Sequence, residues 1–346
     1  LNKGFFYGGS LVCFFIALLF KEMAVTLPLI VLCIDFLFLS HCRAKKVLKN
    51  LLRIHLGFFL VLGAYLFLRY AVANVTIISP ESGTYPRNFS FGTHPCWRFF
   101  TVVKIITLYL RLLFLPYNLT VEYLFEAANS LFEPVVLIGF VLILTFLWIA
   151  IKSRQRHPAL SFSIVWFFIT LLPISNIFPQ GNIFAERYAY MPSVGYCLGI
   201  GLLFSWILRQ NIQTKALHYR GALYVLFIAW IIALGRVCYE RNKVWQNDFT
   251  LWNDAVKKAP HSSLAHVNLA HAYLRMNYFD EALKEVDEAV QLTPSLPLPF
   301  LMRGHIYNRK GELGKAIEAF QSARERKAYG GEIYNSLAVV YGKNKQ

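Results

Sequence analysis

Seven predominantly apolar runs occupy the first two thirds of this 346-residue chain, at about 5–20, 23–39, 54–70, 134–151, 160–178, 192–208 and 222–239. Each holds roughly 16–19 residues, close to the ~20 that a helix needs to cross the hydrocarbon core of a bilayer. A helix satisfies its own backbone hydrogen bonds, which lipid cannot do. The expectation is an all-α chain built on a multi-span bundle.

Charge supports a division. Only 16% of the residues are charged, where a soluble domain carries roughly a quarter. The deficit is local: acidic residues are scarce from Leu1 to Glu240, whereas 241–346 has ordinary charge density with mixed signs. A polytopic membrane domain over 1–240 and a water-soluble domain over 241–346 follow. The net charge of +16 sits largely in short loops between apolar runs. Such loops set membrane orientation, and without a basic-aromatic patch the excess does not point to nucleic acid.

The basic loops 41–53, 152–157 and 209–220 are expected on the cytoplasmic side. Alternation then puts Lys21–Glu22, 71–133, 179–191 and everything after Glu240 on the outer side. The three loops agree only if 97–115, "WRFFTVVKIITLYLRLLFL", does not cross. Lys104, Thr107 and Arg111 form a polar stripe there at i, i+3, i+7. The expectation is an interfacial helix; a helix packed in the bundle with its stripe facing a cavity is the alternative.

The soluble part repeats itself with a period of 34. Ala270, Gly304 and Ala338 coincide, as do Tyr273, Tyr307 and Tyr341, Ala282 and Ala316, Ala289 and Ala323, and Pro260 and Pro294. Small residues at a helix crossing, a tyrosine one turn on and a closing proline form the tetratricopeptide pattern. A half-repeat around Trp252 and Ala255, two full repeats and a third that stops short are expected. So short a stack, and a start at Leu1, suggest a chain truncated at both ends.

The six cysteines have no CxxC spacing, so neither zinc nor a disulfide framework is supported. His94, His157 and His266 lack metal-ligand spacing, and Asp35 reads as a buried hydrogen-bonding group.

Three outer stretches combine acids, bases and aromatics: "LFKEMAVTLPL" (19–29), "LRLLFLPYNLTVEY" (110–123) and "AERYAYMPSVGYC" (185–197). Charges at the mouth of a membrane bundle are costly and so mark candidate sites. Lys21, Arg111 and Arg187 can hold a phosphate, Arg by a planar fork. Tyr188, Tyr190, Tyr123 and Asn118 can bond or stack on a sugar ring. Glu22, Glu122 and Glu186 are candidate acids or bases for a hydroxyl proton. Together they suit group transfer from a phosphate leaving group at the membrane surface. The bland readings stay open: a solvated hairpin tip at Lys21–Glu22, a loop end capped by Pro116, and a loop ion pair with belt tyrosines at 186–190.

These blocks, followed by "VWQNDFTLWNDAVKKAP" leading into the repeats, resemble the transmembrane and tetratricopeptide-repeat O-mannosyltransferases and their bacterial relatives. The resemblance covers nearly the whole chain. It implies a GT-C type bundle that transfers a hexose, with mannose the sugar suggested, from a polyprenyl-phosphate donor to protein serine or threonine hydroxyls. It places Glu186, Arg187 and Tyr188 in the motif at the active-site mouth, and Lys21 and Glu22 in another. It also implies that the general base lies in a first outer loop that this chain lacks. The repeats would bind an acceptor or partner on the periplasmic side of a bacterial inner membrane or in the lumen of the endoplasmic reticulum. No cofactor is expected, the lipid-linked sugar being a substrate, and a divalent metal is left open. A non-catalytic membrane scaffold, or a polysaccharide polymerase or flippase, are the rival readings.

Overall fold

The computed structural model describes residues 3–73, 95–175, 183–209, 217–326 and 331–344. The expectations placed on His94, on the loop 71–133 before residue 95, and on most of 209–220 lie outside the described residues. The chain divides into two compact units. The first comprises 1–80, 90–115 and 127–225; the second comprises 81–89, 116–126 and 226–346.

The described residues are mostly helical, in fifteen α-helices joined by short helical turns and by irregular segments such as 115–133, with no strand among them. In the first unit these are α1 (Lys3–Phe20), α2 (Leu27–Ile34), α3 (Ala44–Asn50), α4 (Leu56–Ala73), α5 (Pro95–Phe114), α6 (Pro134–Ser153), α7 (Pro158–Leu171) and α8 (Tyr190–Arg209). Proline opens α2, α6 and α7 within their first two positions, where its missing N–H has no helical partner to lose. A ninth helix, α9 (Leu217–Val244), runs unbroken through residue 240, where the change of composition lies.

Among the described residues, three helical stretches are long and apolar enough to cross a membrane: Pro134–Ser153, Glu186–Arg209 and Gly221–Val244. Four shorter apolar ones cover Gly4–Phe20, Met23–Leu39, Leu56–Val72 and Pro158–Ile174. Together they fall on the seven apolar runs of the sequence. Phe20, Phe67, Val72, Trp148, Leu226 and Ile232 are all exposed, which lipid favours and water does not.

The two ends of the first unit differ in chemistry. At one end Asp35, 2% exposed, accepts from Ser40 Oγ at 2.8 Å, from Asn50 Nδ2 at 3.2 Å and faces His55 Nε2 at 2.9 Å. A charge taken out of water needs such partners, so Asp35 is a structural anchor, as its setting in the sequence suggested. Two π-helical turns, Asp35–Leu39 and Leu51–His55, bring the four residues together. Here too the basic stretches 41–53 and 152–157 meet, where Cys42 Sγ donates to the Arg154 carbonyl at 3.4 Å.

Helices α7 and α8 pack closely along their length. A Cβ on Gly195 would stand 2.5 Å from the Ser163 carbonyl oxygen, so this crossing requires glycine. Helix α5 packs on α6 with Thr101, Val103, Ile105, Thr107 and Tyr109 buried. Its polar stripe is divided among three settings. Lys104 pairs with Glu133 at 3.1 Å, Thr107 is buried against Gly139, and Arg111 is exposed.

The second unit contains α10 (Asp248–Lys258), α11 (Ser263–Arg275), α12 (Phe279–Leu292), α13 (Leu298–Lys310), α14 (Leu313–Glu325) and α15 (Gly331–Asn344). Asn247 and Thr250 cap α10 reciprocally, which satisfies donors otherwise left open at a helix start. Each helix packs on the next, and α11 also touches α13. The small residue of the repeat has a visible cause: a Cβ on Gly304 would stand 2.5 Å from the Phe320 ring. His266 bridges Glu285 (2.7 Å) and the Pro260 carbonyl (2.9 Å), a structural role consistent with its lack of metal-ligand spacing.

Candidate active site

The sequence before Glu186 is "NIFA", and its last two residues are anchored from another helix. Tyr109 of α5 is fully buried. Its hydroxyl donates to the Ala185 carbonyl and accepts from the Ala185 N–H, both at 3.3 Å. Its ring stacks on Phe184, with centroids 4.6 Å apart. One tyrosine thus holds an extended backbone segment by both of its polar groups.

That anchor aims the residues that follow. Ala185 is extended, and Glu186–Ala189 then closes as a short 3-10 turn, with the Tyr188 N–H donating to the Ala185 carbonyl at 3.0 Å. Ala185 and Ala189 turn inward and are buried. Glu186 and Tyr188 are half-buried, and Arg187 is exposed. The Arg187 guanidinium lies 5.1 Å from the Tyr188 ring centroid, within range of a cation–π contact. Tyr190 is 76% exposed at the start of α8, and Trp166 Nε1 donates to the next carbonyl, Met191, at 2.9 Å.

Packing then fixes which motifs share this end of the first unit. The last turns of α5, which carry Arg111, run beside the Glu186–Ala189 turn and α8, with Phe114 edge-on to Tyr196 at 4.8 Å. Lys21 is an exposed, extended break between α1 and the 3-10 turn Glu22–Thr26. That turn packs on Leu172–Ile174, which closes α7. Lys21, Arg111, Glu186, Arg187, Tyr188 and Tyr190 therefore lie at one end of the unit, opposite the Asp35 cluster. The side chain of Glu22 lies outside the described residues. Three bases, a carboxylate and two phenols at one rim suit a phosphorylated ligand that approaches from the surface.

Asn118, Glu122 and Tyr123 belong to the second unit. Asn118 is exposed with a left-handed φ of 55°, a conformation asparagine tolerates better than most. The Tyr123 hydroxyl accepts from the Thr120 N–H at 3.2 Å. Lys258 Nζ donates to the Leu119 carbonyl at 2.7 Å, tying the segment to α10. Glu122 lies beside Ser262, the N-cap of α11. Burial pushes its carboxyl up from an ordinary 4.5 to about 7, with the Ser262 hydrogen bond pulling the other way. A carboxyl titrating near neutrality is suited to proton transfer.

Tyr109 did not stand out in the sequence. Its signal was a single phenol in a buried helix, two residues before Arg111, and such a residue reads as core until its partner is known.

The chain matches the tetratricopeptide repeat family model over residues 263–296 and again over 300–327. A protein O-mannosyl-transferase of Caenorhabditis elegans is 27% identical over 278 residues, covering 80% of this chain and 37% of that protein. The protein O-mannosyl-transferase Tmtc3 of Drosophila melanogaster is 27% identical over 53% of this chain and 20% of its own length. Human protein O-mannosyl-transferase TMTC3 is 26% identical over 45% of this chain and 16% of its own. The chain therefore spans between 16% and 37% of the length of these relatives.

Proposed function

We infer that this chain, a member of the transmembrane and tetratricopeptide-repeat O-mannosyltransferase family, is the part of a membrane glycosyltransferase that binds a lipid-linked sugar. The donor is a polyprenyl-phosphate hexose, mannose by relationship, and the acceptor is a serine or threonine hydroxyl of a protein. Transfer takes place on the extracytoplasmic side, where the repeats present the acceptor or a partner. The observation that carries the reading is the rim of Lys21, Arg111, Glu186, Arg187 and Tyr188 at one end of an apolar helical unit.

In this reading the bond from the sugar's anomeric carbon to the phosphate oxygen breaks, and a bond to the acceptor oxygen forms. The hydroxyl proton passes to a carboxylate, with Glu22 and Glu186 the candidates in the first unit. The polyprenyl phosphate leaves with its charge held by Lys21, Arg111 and Arg187. Donors fixed where charge develops act without reorganisation and contribute most where water is excluded. Tyr188 and Tyr190 supply sugar or acceptor contacts. Tyr109 is a positioning residue that acts through Ala185.

Arg187→Lys tests the reading, because lysine keeps the charge and loses the planar fork. One charge-assisted hydrogen bond is worth roughly 1.5–3 kcal/mol, so transfer from polyprenyl-phosphate mannose should fall about 10- to 100-fold. Membrane insertion should be unchanged. Transfer within about twofold of the parent would remove Arg187 from the phosphate site and favour a non-catalytic scaffold.

A further inference from the structure

The 34-residue period carries a second signal besides the small residues and tyrosines. Arg275, Arg309 and Lys343 are also one period apart. Each stands in the last turn of the first helix of its repeat, in α11, α13 and α15, and each is exposed. Each reaches back to an earlier element: Arg275 to Asp248 at 2.6 Å, Arg309 to Asn277 Oδ1 at 2.9 Å and Lys343 to Asn308 Oδ1 at 3.2 Å. The result is a row of cations, one per repeat, along one edge of the stack.

Two features separate this row from ordinary surface charge. Helices α11 and α13 contain no acidic residue, whereas α12 between them contains five acids and one lysine; across these three helices the signs are sorted by helix. The partners of Arg309 and Lys343 are amide oxygens, which orient a cation without neutralising it. Arg275 does face a carboxylate, but that pair is 67% and 52% exposed, and an exposed pair yields readily to an incoming anion. Beside Arg275 lies a surface cavity lined by Asn247, Asp248, Phe249, Ala272, Arg275 and Met276, which adds an apolar floor.

We propose that this edge binds an extended acidic protein segment, with one carboxylate at each of Arg275, Arg309 and Lys343. The inference rests on the reading that the repeats hold an acceptor or partner, and it names that partner's chemistry. A peptide is favoured over a nucleic acid by the asparagines between the cations. Their amides offer both a donor and an acceptor, as a peptide group requires and a phosphodiester does not.

The test is binding of a fluorescent peptide alternating Glu and Ser to the full chain in phosphatidylcholine nanodiscs. The same peptide with Gln for Glu, and a short oligothymidylate, are run beside it. The Glu peptide should bind in a salt-dependent manner and the Gln peptide should not. Replacing all three cations, Arg275→Gln with Arg309→Gln and Lys343→Gln, should weaken binding about tenfold or more. Arg303→Gln is the control, since Arg303 pairs with Asp287 and lies off the row; it should bind within about twofold of the parent. Single Arg309→Gln should give a partial loss should the triple variant misfold. Unchanged binding by the triple variant, equal binding of the Gln peptide, or preference for the oligothymidylate would each overturn the proposal. The readout is independent of sugar transfer, so failure here leaves the transferase reading standing, and failure there leaves this one.

Discussion

Replacing Glu122 by Gln should make the docking of residues 116–126 insensitive to pH. The folded carboxyl titrates at about 7 against an ordinary 4.5 because burial disfavours its charged form. The native state therefore binds the proton more tightly than the open state, and stability falls as pH rises between those values. The contribution is fully present below the ordinary value and is lost as pH passes through about 7. At roughly 1.4 kcal/mol per pH unit the loss approaches ~3 kcal/mol, and residual exposure makes this an upper figure. Hydrogen exchange of amides in 116–126, corrected for its intrinsic pH dependence, reads this local opening directly. Protection in the parent should fall by up to roughly 100-fold from pH 5 to pH 8. In Glu122→Gln, which imitates the neutral acid and still reaches Ser262, the profile should be flat. Equal slopes in the two proteins would refute the argument. Transfer measured on the same variant separates roles: a proton-transfer residue loses activity on this change, and a docking residue does not.

Tyr109→Phe removes the hydroxyl that serves both polar groups of Ala185. The buried Ala185 N–H then lacks a partner, at about 1–3 kcal/mol, while its carbonyl keeps the Tyr188 N–H; transfer should drop while donor binding weakens less, and unchanged exchange at the Ala185 and Tyr188 amides would count against the anchor. Asp35→Ala leaves Ser40, Asn50 and His55 without their shared acceptor. That should cost about 1–3 kcal/mol, read as thermal unfolding in detergent, with Asp35→Asn milder because it keeps an acceptor. Equal melting of the parent and Asp35→Ala would show that the cluster does not hold that end together.

Periodicity and composition alone determined the class of this protein. Seven apolar stretches near bilayer length, the shift in charge after residue 240 and the 34-residue repeat are local properties that no packing arrangement can alter. The cation row was equally legible, since Arg275, Arg309 and Lys343 obey the same period, although a period does not say what each base touches. The candidate site was legible as residue types and, through the basic loops, as one side of the bundle. Lys21, Arg111 and the Glu186–Tyr190 stretch could be named because charge beside an apolar run is costly wherever the helix goes. What holds each of them at that end was decided by tertiary structure. The parallel packing of α1 on α4, evident where Phe14 meets Phe58 and the Tyr7 hydroxyl donates to the Ile54 carbonyl, puts Lys21 at the end away from the basic loops. The pairing of Tyr109 with Ala185 spans 76 positions, and Glu122 meets Ser262 across a stretch of chain nearly twice as long. A hydrogen bond between distant positions depends on where two helices end in space, and side-chain periodicity carries no information about that.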